Sequence, residues 1–217
     1  RFPHRLPHPD PPTGALSRGA VNAAGHNGEK KRMSEPSVVP DVTIRRLGTN
    51  EAAACVKALA ELLIDCVEGG ASVSFMRPLS RERAVPFWRG VPEGVARGAR
   101  ILLVADDDAV RIVGTVQLIP SQTDNQPHRA DVAKMLVHRS VRRRGIAQRL
   151  MNALDDTARN EGRTVLVLDT LTGGDAERLY ERTGWQRVGV VPDYAFTPDG
   201  QLAGATFFYT RLHARGG

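Results

Sequence analysis

A chain of 217 residues with 41% hydrophobic and 25% charged residues has the composition of an ordinary globular domain with a substantial core. Its formal charge of +6 is uneven: residues 1–33 carry a net +4, so the remainder holds only +2, too little for a dedicated nucleic-acid surface. No apolar run is long enough to cross a bilayer, and the two cysteines, Cys55 and Cys66, indicate no disulfide framework. A reducing, cytoplasmic setting is expected.

Residues 1–40 read as a disordered tail and linker. Pro3, Pro7, Pro9, Pro11 and Pro12 crowd its start, and "KKRMSEPS" offers Met33 as a native start, which would make residues 1–32 an upstream extension. A folded domain is expected from 41 to 213. "VTIRRL" (42–47) alternates as a strand. Residues 50–70 predict one helix capped by Asn50, with Val56, Leu59, Leu63 and Val67 on one face, stopped by Gly69 and Gly70. Both cysteines fall within it, too far apart along the helix to bond. Ser80 can cap a second helix ending near Trp88. Residues 99–119 predict a hairpin turning at the aspartates 106–108, and 130–138 a further strand. Residues 144–161 place Ile146, Leu150, Leu154 and Ala158 on one helical stripe, with Gly162 as terminator. "TVLVLDT" (164–170) reads as a buried strand, 174–184 as a short helix, and "WQRVGVV" and "GATFFYTRL" as two final strands joined by the loop "PDYAFTPDGQLA". The strands around the 144–161 helix suggest a βαβ crossover within a mixed α/β sheet.

Chemistry concentrates in "HRSVRRRGIAQRL" (138–150), where a strand turns directly into a helix. The first N–H groups of a helix lack internal partners and, with the helix dipole, attract anions. Arg142, Arg143 and Arg144 beside Gly145 and Ala147 place three positive charges where a helix disfavours them, unless an anion neutralises them. There is no G-K-[ST] after the glycine, as a P-loop needs, and no three-glycine dinucleotide fingerprint. A solvated turn remains the plain alternative from these residues alone.

"LVHRSVRRRGIAQRLMNALDDTARNEG" resembles motif A of the GNAT acetyltransferases, the Q/R-x-x-G-x-G/A signature, and "AERLYERTGWQRVGVV" is similar to that family's A-x-x-L-Y-x-x-x-G-F segment. "LLIDCVEGGASVSFM", "PHRADVAKMLVHR" and "PDYAFTPDG" with "TFFY" resemble a subgroup that includes the tabtoxin-resistance acetyltransferases. The resemblance covers about Val42 to Leu212. It implies a mixed, mainly antiparallel sheet with helices on both faces, and acetyl-CoA as cosubstrate without a metal. It further implies that backbone groups of Leu136 and Val137 bind the pantetheine arm. The pyrophosphate would sit on Arg143, Arg144, Gly145, Ile146 and Ala147, with Arg142 at the first position of the signature. Tyr180 matches the tyrosine that protonates the departing thiolate. The family's asparagine three residues before Ala176 is here Gly173, so that contact is absent or supplied otherwise.

Acetyl transfer to an amine also needs a base, because such amines are mostly protonated at neutral pH. Asp131, at the start of the strand leading into the arginine turn, is one candidate; some GNAT histone acetyltransferases look similar in carrying a glutamate near that place. A turn-capping role is its plain alternative. Asp169, at the end of an apolar strand, can attract a cationic amine or cap the next helix. Asp65, Glu68 and Tyr194 are weaker candidates for lining the acceptor pocket. No Cys/His spacing suggests a metal.

The expected function is N-acetylation of a primary amine on a small or amino-acid-like compound, with toxins and antibiotics among the acceptors that the resemblance implies. Acetylation of a protein lysine or N-terminus, or a non-catalytic acyl-CoA-binding module, are the alternatives. Phe207, Phe208 and Tyr209 hint at core packing or a homodimer contact.

Overall fold

Two periodicities in the chain, alternating strands and striped helices, resolve into one sheet with a helical layer on each face. The computed structural model describes residues 42–109 and 111–213; the expected tail and linker lie outside the described residues. The elements are β1 (Thr43–Leu47), α1 (Thr49–Ala54), α2 (Val56–Glu68), α3 (Arg81–Arg89), α4 (Val91–Ala96), β2 (Ile101–Asp106), β3 (Ile112–Pro120), β4 (Arg129–Val137), α5 (Ile146–Asn160), β5 (Val165–Leu171), α6 (Asp175–Arg182), β6 (Gln186–Phe196) and β7 (Leu202–Arg211). The strand order is β1-β2-β3-β4-β5-β7-β6, and every adjacent pair is antiparallel except β4 and β5. That parallel pair is joined through α5, the expected βαβ crossover.

The sheet separates two cores. On one side the α5 stripe (Ile146, Leu150, Leu154, Ala158) packs with Leu103, Val116, Leu166 and Phe208. On the other, Leu59, Leu63 and Val67 of α2 and Trp88 of α3 pack on Leu102 and Val104. The alternation of Leu102 and Leu103 onto opposite faces follows directly from the two-residue period of a strand.

Several expectations are corrected. The predicted 50–70 helix is two helices, because the backbone leaves regular helical geometry at Cys55 (φ −87°, ψ 0°). Cys55 therefore sits at the break and Cys66 inside α2; both are free thiols. The cap of α1 is Gly48 rather than Asn50, and its N–H donates to the Glu51 carboxylate at 2.9 Å. Helix α4 was not anticipated. Strand β5 is buried only at Leu166 and Leu168. The last two strands extend well into the expected loop, with Ala195 paired to Ala203 and Phe196 to Leu202. Pro192 and Asp193 look like turn residues, but they fall in a register shift between Val191 and Ala195, with Asp193 at φ 51°. A bulge absorbs the irregularity without ending the strand.

Two departures from regularity shape the site. Strand β4 pairs with β5 only from Arg129 to Asp131, after which the two strands part while β5 continues along β7. Against β3, Ala133 pairs with Gln117 and Leu136 with Thr115, so β4 carries one extra residue there. Lys134, at φ 52°, lies within this bulge.

Candidate active site

The parting of β4 and β5 opens a cleft of about 840 Å³ roofed by the start of α5 and bounded by α6. Of the expected site residues, Leu136, Val137, Arg142, Arg143, Gly145, Ile146, Ala147, Asp169 and Tyr180 line it. Arg144 and Asp131 do not. Asp131 lies in the segment of β4 still paired to β5, opposite Val167, and its carboxylate is ion-paired to Arg129 at 2.7 Å.

The arginine turn is built from local constraints. A 3-10 turn over Arg139–Val141 follows β4, and His138 N–H holds its entrance by donating to the Val113 carbonyl at 2.9 Å. Asp65 anchors the turn from α2, accepting from the Arg139 N–H and Nε, each at 2.9 Å. Burial opposes ionisation of Asp65, but these bonds and the nearby His138 outweigh it and hold its carboxyl below the usual range. Glu68 is likewise structural, accepting from the Leu79 N–H at 3.0 Å. Neither is a pocket residue.

Beyond the turn, Arg143 (φ 63°) and Gly145 (φ 76°) both take left-handed geometry, and Gly145 caps the 15-residue α5. A Cβ at Gly145 would meet no protein atom within 4 Å, so the space over the helix start is open. Among the described residues no carboxylate pairs with Arg142, Arg143 or Arg144. Arg142 and Arg143, free of carboxylate partners, and the free N–H groups at the start of α5 thus face one open cradle. Arg142 folds back so that its Nε donates to the Val137 carbonyl at 3.1 Å, which also accepts from Cys66 Sγ at 3.4 Å. Since His138 N–H points to β3, backbone alternation turns the Val137 amide toward the cleft. Burial pushes the Cys66 thiol up to about 11, so it stays protonated.

At the far side, Tyr180 is buried at 4% exposure against Trp185 and Phe208, with ring centroids 5.7 and 5.9 Å away. Burial, reinforced by Asp169, raises its phenol far above the ordinary value. Burial also raises the Asp169 carboxyl, with Lys134 opposing that rise and Asp131 adding to it. Gly173 N–H, at the position where the family often has asparagine, is taken up by Glu177, which also accepts from Thr206 Oγ1 at 2.8 Å. A side chamber of about 200 Å³ adjoins the cleft and is walled by Ser74, Lys134, Asp169, Tyr194 and Phe196. Lys134 escaped sequence reasoning, because its position depends on a bulge defined by pairing with β3.

Among the described residues no group of three His, Cys, Asp or Glu side chains is arranged to hold a metal, and no helix is long and apolar enough to cross a membrane.

A mixed sheet with one parallel pair parting beneath an arginine-rich helix start defines an acyltransferase-type fold, and the comparisons agree. Residues 98–187 match the family model described as the acetyltransferase (GNAT) domain. An uncharacterized N-acetyltransferase from the hisH-hisA intergenic region of Azospirillum brasilense is 34% identical over 134 residues, spanning 59% of this chain and 75% of that protein. The chain belongs to the GNAT acetyltransferase family. Among solved structures, the putative acetyltransferase yncA of Salmonella typhimurium, determined with its cofactor acetyl-CoA, superposes with a TM-score of 0.65 at 19% identity, covering 82% of this chain and 97% of that one. A ribosomal-protein-alanine N-acetyltransferase from Brucella melitensis gives 0.64 at 21% identity, covering 78% and 99%. A putative phosphinothricin N-acetyltransferase gives 0.62 at 17%, covering 80% and 100%. These three show a shared fold.

Proposed function

We propose that the protein transfers an acetyl group from acetyl-CoA to the primary amine of a small acceptor. The observation that carries this reading is the juxtaposition of the unneutralised arginine cradle with a cleft that ends at Tyr180 and Asp169. The residues suit coenzyme A: N–H groups at Arg143–Ala147 would hold its pyrophosphate, and Leu136 and Val137 would pair with its pantetheine arm. Bound there, acetyl-CoA supplies an activated thioester. Asp169 accepts the proton that frees the acceptor amine, and Asp131, outside the cleft, helps to raise the Asp169 pKa. The freed amine attacks the thioester carbonyl; as the C–S bond breaks, Tyr180 donates its O–H proton to the departing sulfur and regains one from the nitrogen, which sheds its second proton as the amide forms. The base role read first onto Asp131 is better met by Asp169, which lines the cleft.

The small side chamber favours a small acceptor over a protein chain. The likeness to tabtoxin-resistance enzymes keeps toxins and antibiotics in the acceptor panel. Self-association is proposed through the edge strand β6, which with the start of β7 exposes Val188, Phe196 and Leu202; sedimentation equilibrium tests it. The decisive experiment is calorimetric titration with acetyl-CoA followed by an amine screen reading thiol release. Micromolar binding and acceptor-dependent thiol release are expected; absence of binding rejects the reading.

A further inference from the structure

The bulge in β4 sets a cation with no direct ion-pair partner into the side chamber. Lys134 is half-buried, and its Nζ donates to Ser74 Oγ at 3.3 Å and stands 5.4 Å from the centroid of the Phe87 ring. Among the described residues no carboxylate lies within ion-pairing distance of it. Burial and the neighbouring Arg100 lower its pKa, while Asp169 acts in the opposite sense. A hydroxyl and an aromatic face compensate a buried ammonium only in part; a fixed anion does so far better. Lys134 and Asp169 line the same chamber, one on each of the two parted strands. The chamber therefore offers a cation and a carboxylate to one small molecule.

Resting on the acetyl-transfer reading above, we propose that Lys134 is a specificity-determining residue that binds a carboxylate on the acceptor, while Asp169 receives the amine of the same molecule. The acceptor class is then a free amino acid or a close amino-acid analogue, rather than a simple amine. Among the described residues, no other charged side chain lines the side chamber. The wall of Tyr194, Phe196 and Val73 supplies apolar surface for the remainder of the acceptor.

The test compares free L-amino acids with their amides and with the corresponding decarboxylated amines, in thiol-release kinetics on the full chain. The wild type is expected to favour the free acids by at least about tenfold in kcat/KM. Compared on the alkaline plateau of each variant's pH profile, where losing the Lys134 charge no longer changes the protonation of Asp169, Lys134→Gln is expected to raise KM for the acids by about 10- to 100-fold, the range for losing a charged hydrogen bond, with amides changed less than about threefold. Lys134→Arg should retain most of the preference. Acetyl-CoA titration of each variant reports the integrity of the fold and cofactor cleft. Equal turnover of acids and amides by the wild type, an equal loss of both in Lys134→Gln, or a protein that binds acetyl-CoA yet acetylates no free acid would overturn the proposal. Failure to bind acetyl-CoA would instead reject the acetyl-transfer reading, and this proposal with it.

Discussion

Tyr180 and Asp169 line one cleft, and the carboxylate of Asp169 adds to the burial that keeps the Tyr180 phenol protonated. The proposed mechanism uses this pairing for opposite proton duties: Asp169, its pKa raised, as the base, and Tyr180, its pKa raised further from neutrality, as the acid.

The first consequence is a pH profile. Because the Asp169 pKa is raised by burial, activity should climb with pH as the base loses its proton, with a midpoint above that of an ordinary aspartate. Tyr180 should impose no alkaline fall near neutrality. Asp169→Asn is expected to lower kcat by about 10²- to 10⁴-fold and to abolish the acidic limb. An unchanged profile in that variant would remove Asp169 from the base role.

Tyr180→Phe keeps the ring against Trp185 and Phe208, so the fold should persist. Turnover should drop by roughly 10²-fold or more, the usual scale for a positioned acid. Acetyl-CoA affinity, read by calorimetry, should move less than about threefold. A comparable loss in both quantities would mean that Tyr180 is a wall and not a proton donor.

Gly145 separates stability from binding. At φ 76° any L side chain is strained, costing about 1–2 kcal/mol, yet its Cβ would meet nothing in the protein. Gly145→Ala should therefore lower the melting temperature modestly. Gly145→Glu, which adds bulk and negative charge to the cradle, should abolish acetyl-CoA binding while unfolding at nearly the same temperature as Gly145→Ala.

Asp155 on α5 gives a stability prediction away from the site. Burial raises its carboxyl to about 6, and its Oδ1 is buried without a partner. The folded state thus holds this proton more tightly than the unfolded chain. Its contribution is full below the unfolded pKa and is lost as pH rises through about 6. Asp155→Asn should stabilise the protein at pH 8 by about 1 kcal/mol, allowing for partial solvent screening, with the gain shrinking toward pH 4. Denaturant titrations at the two pH values measure it.

Which features were legible before folding follows from the range of the forces involved. Helical stripes such as Ile146–Leu150–Leu154–Ala158, the alternation of 42–47 and the run of arginines against Gly145 are local, set by side-chain period and turn chemistry within a few residues. They determined the order of the main elements, the arginine-rich helix start and the family resemblance. Only the tertiary structure decided where β4 leaves β5, since that depends on register between strands separated by a whole helix. That parting holds Asp131 in the paired segment and puts Asp169 in the cleft. The bulge that carries Lys134 into the side chamber is likewise invisible locally: it exists because β4 has one residue more than β3 between two paired positions, and a mismatch between two strands belongs to neither alone.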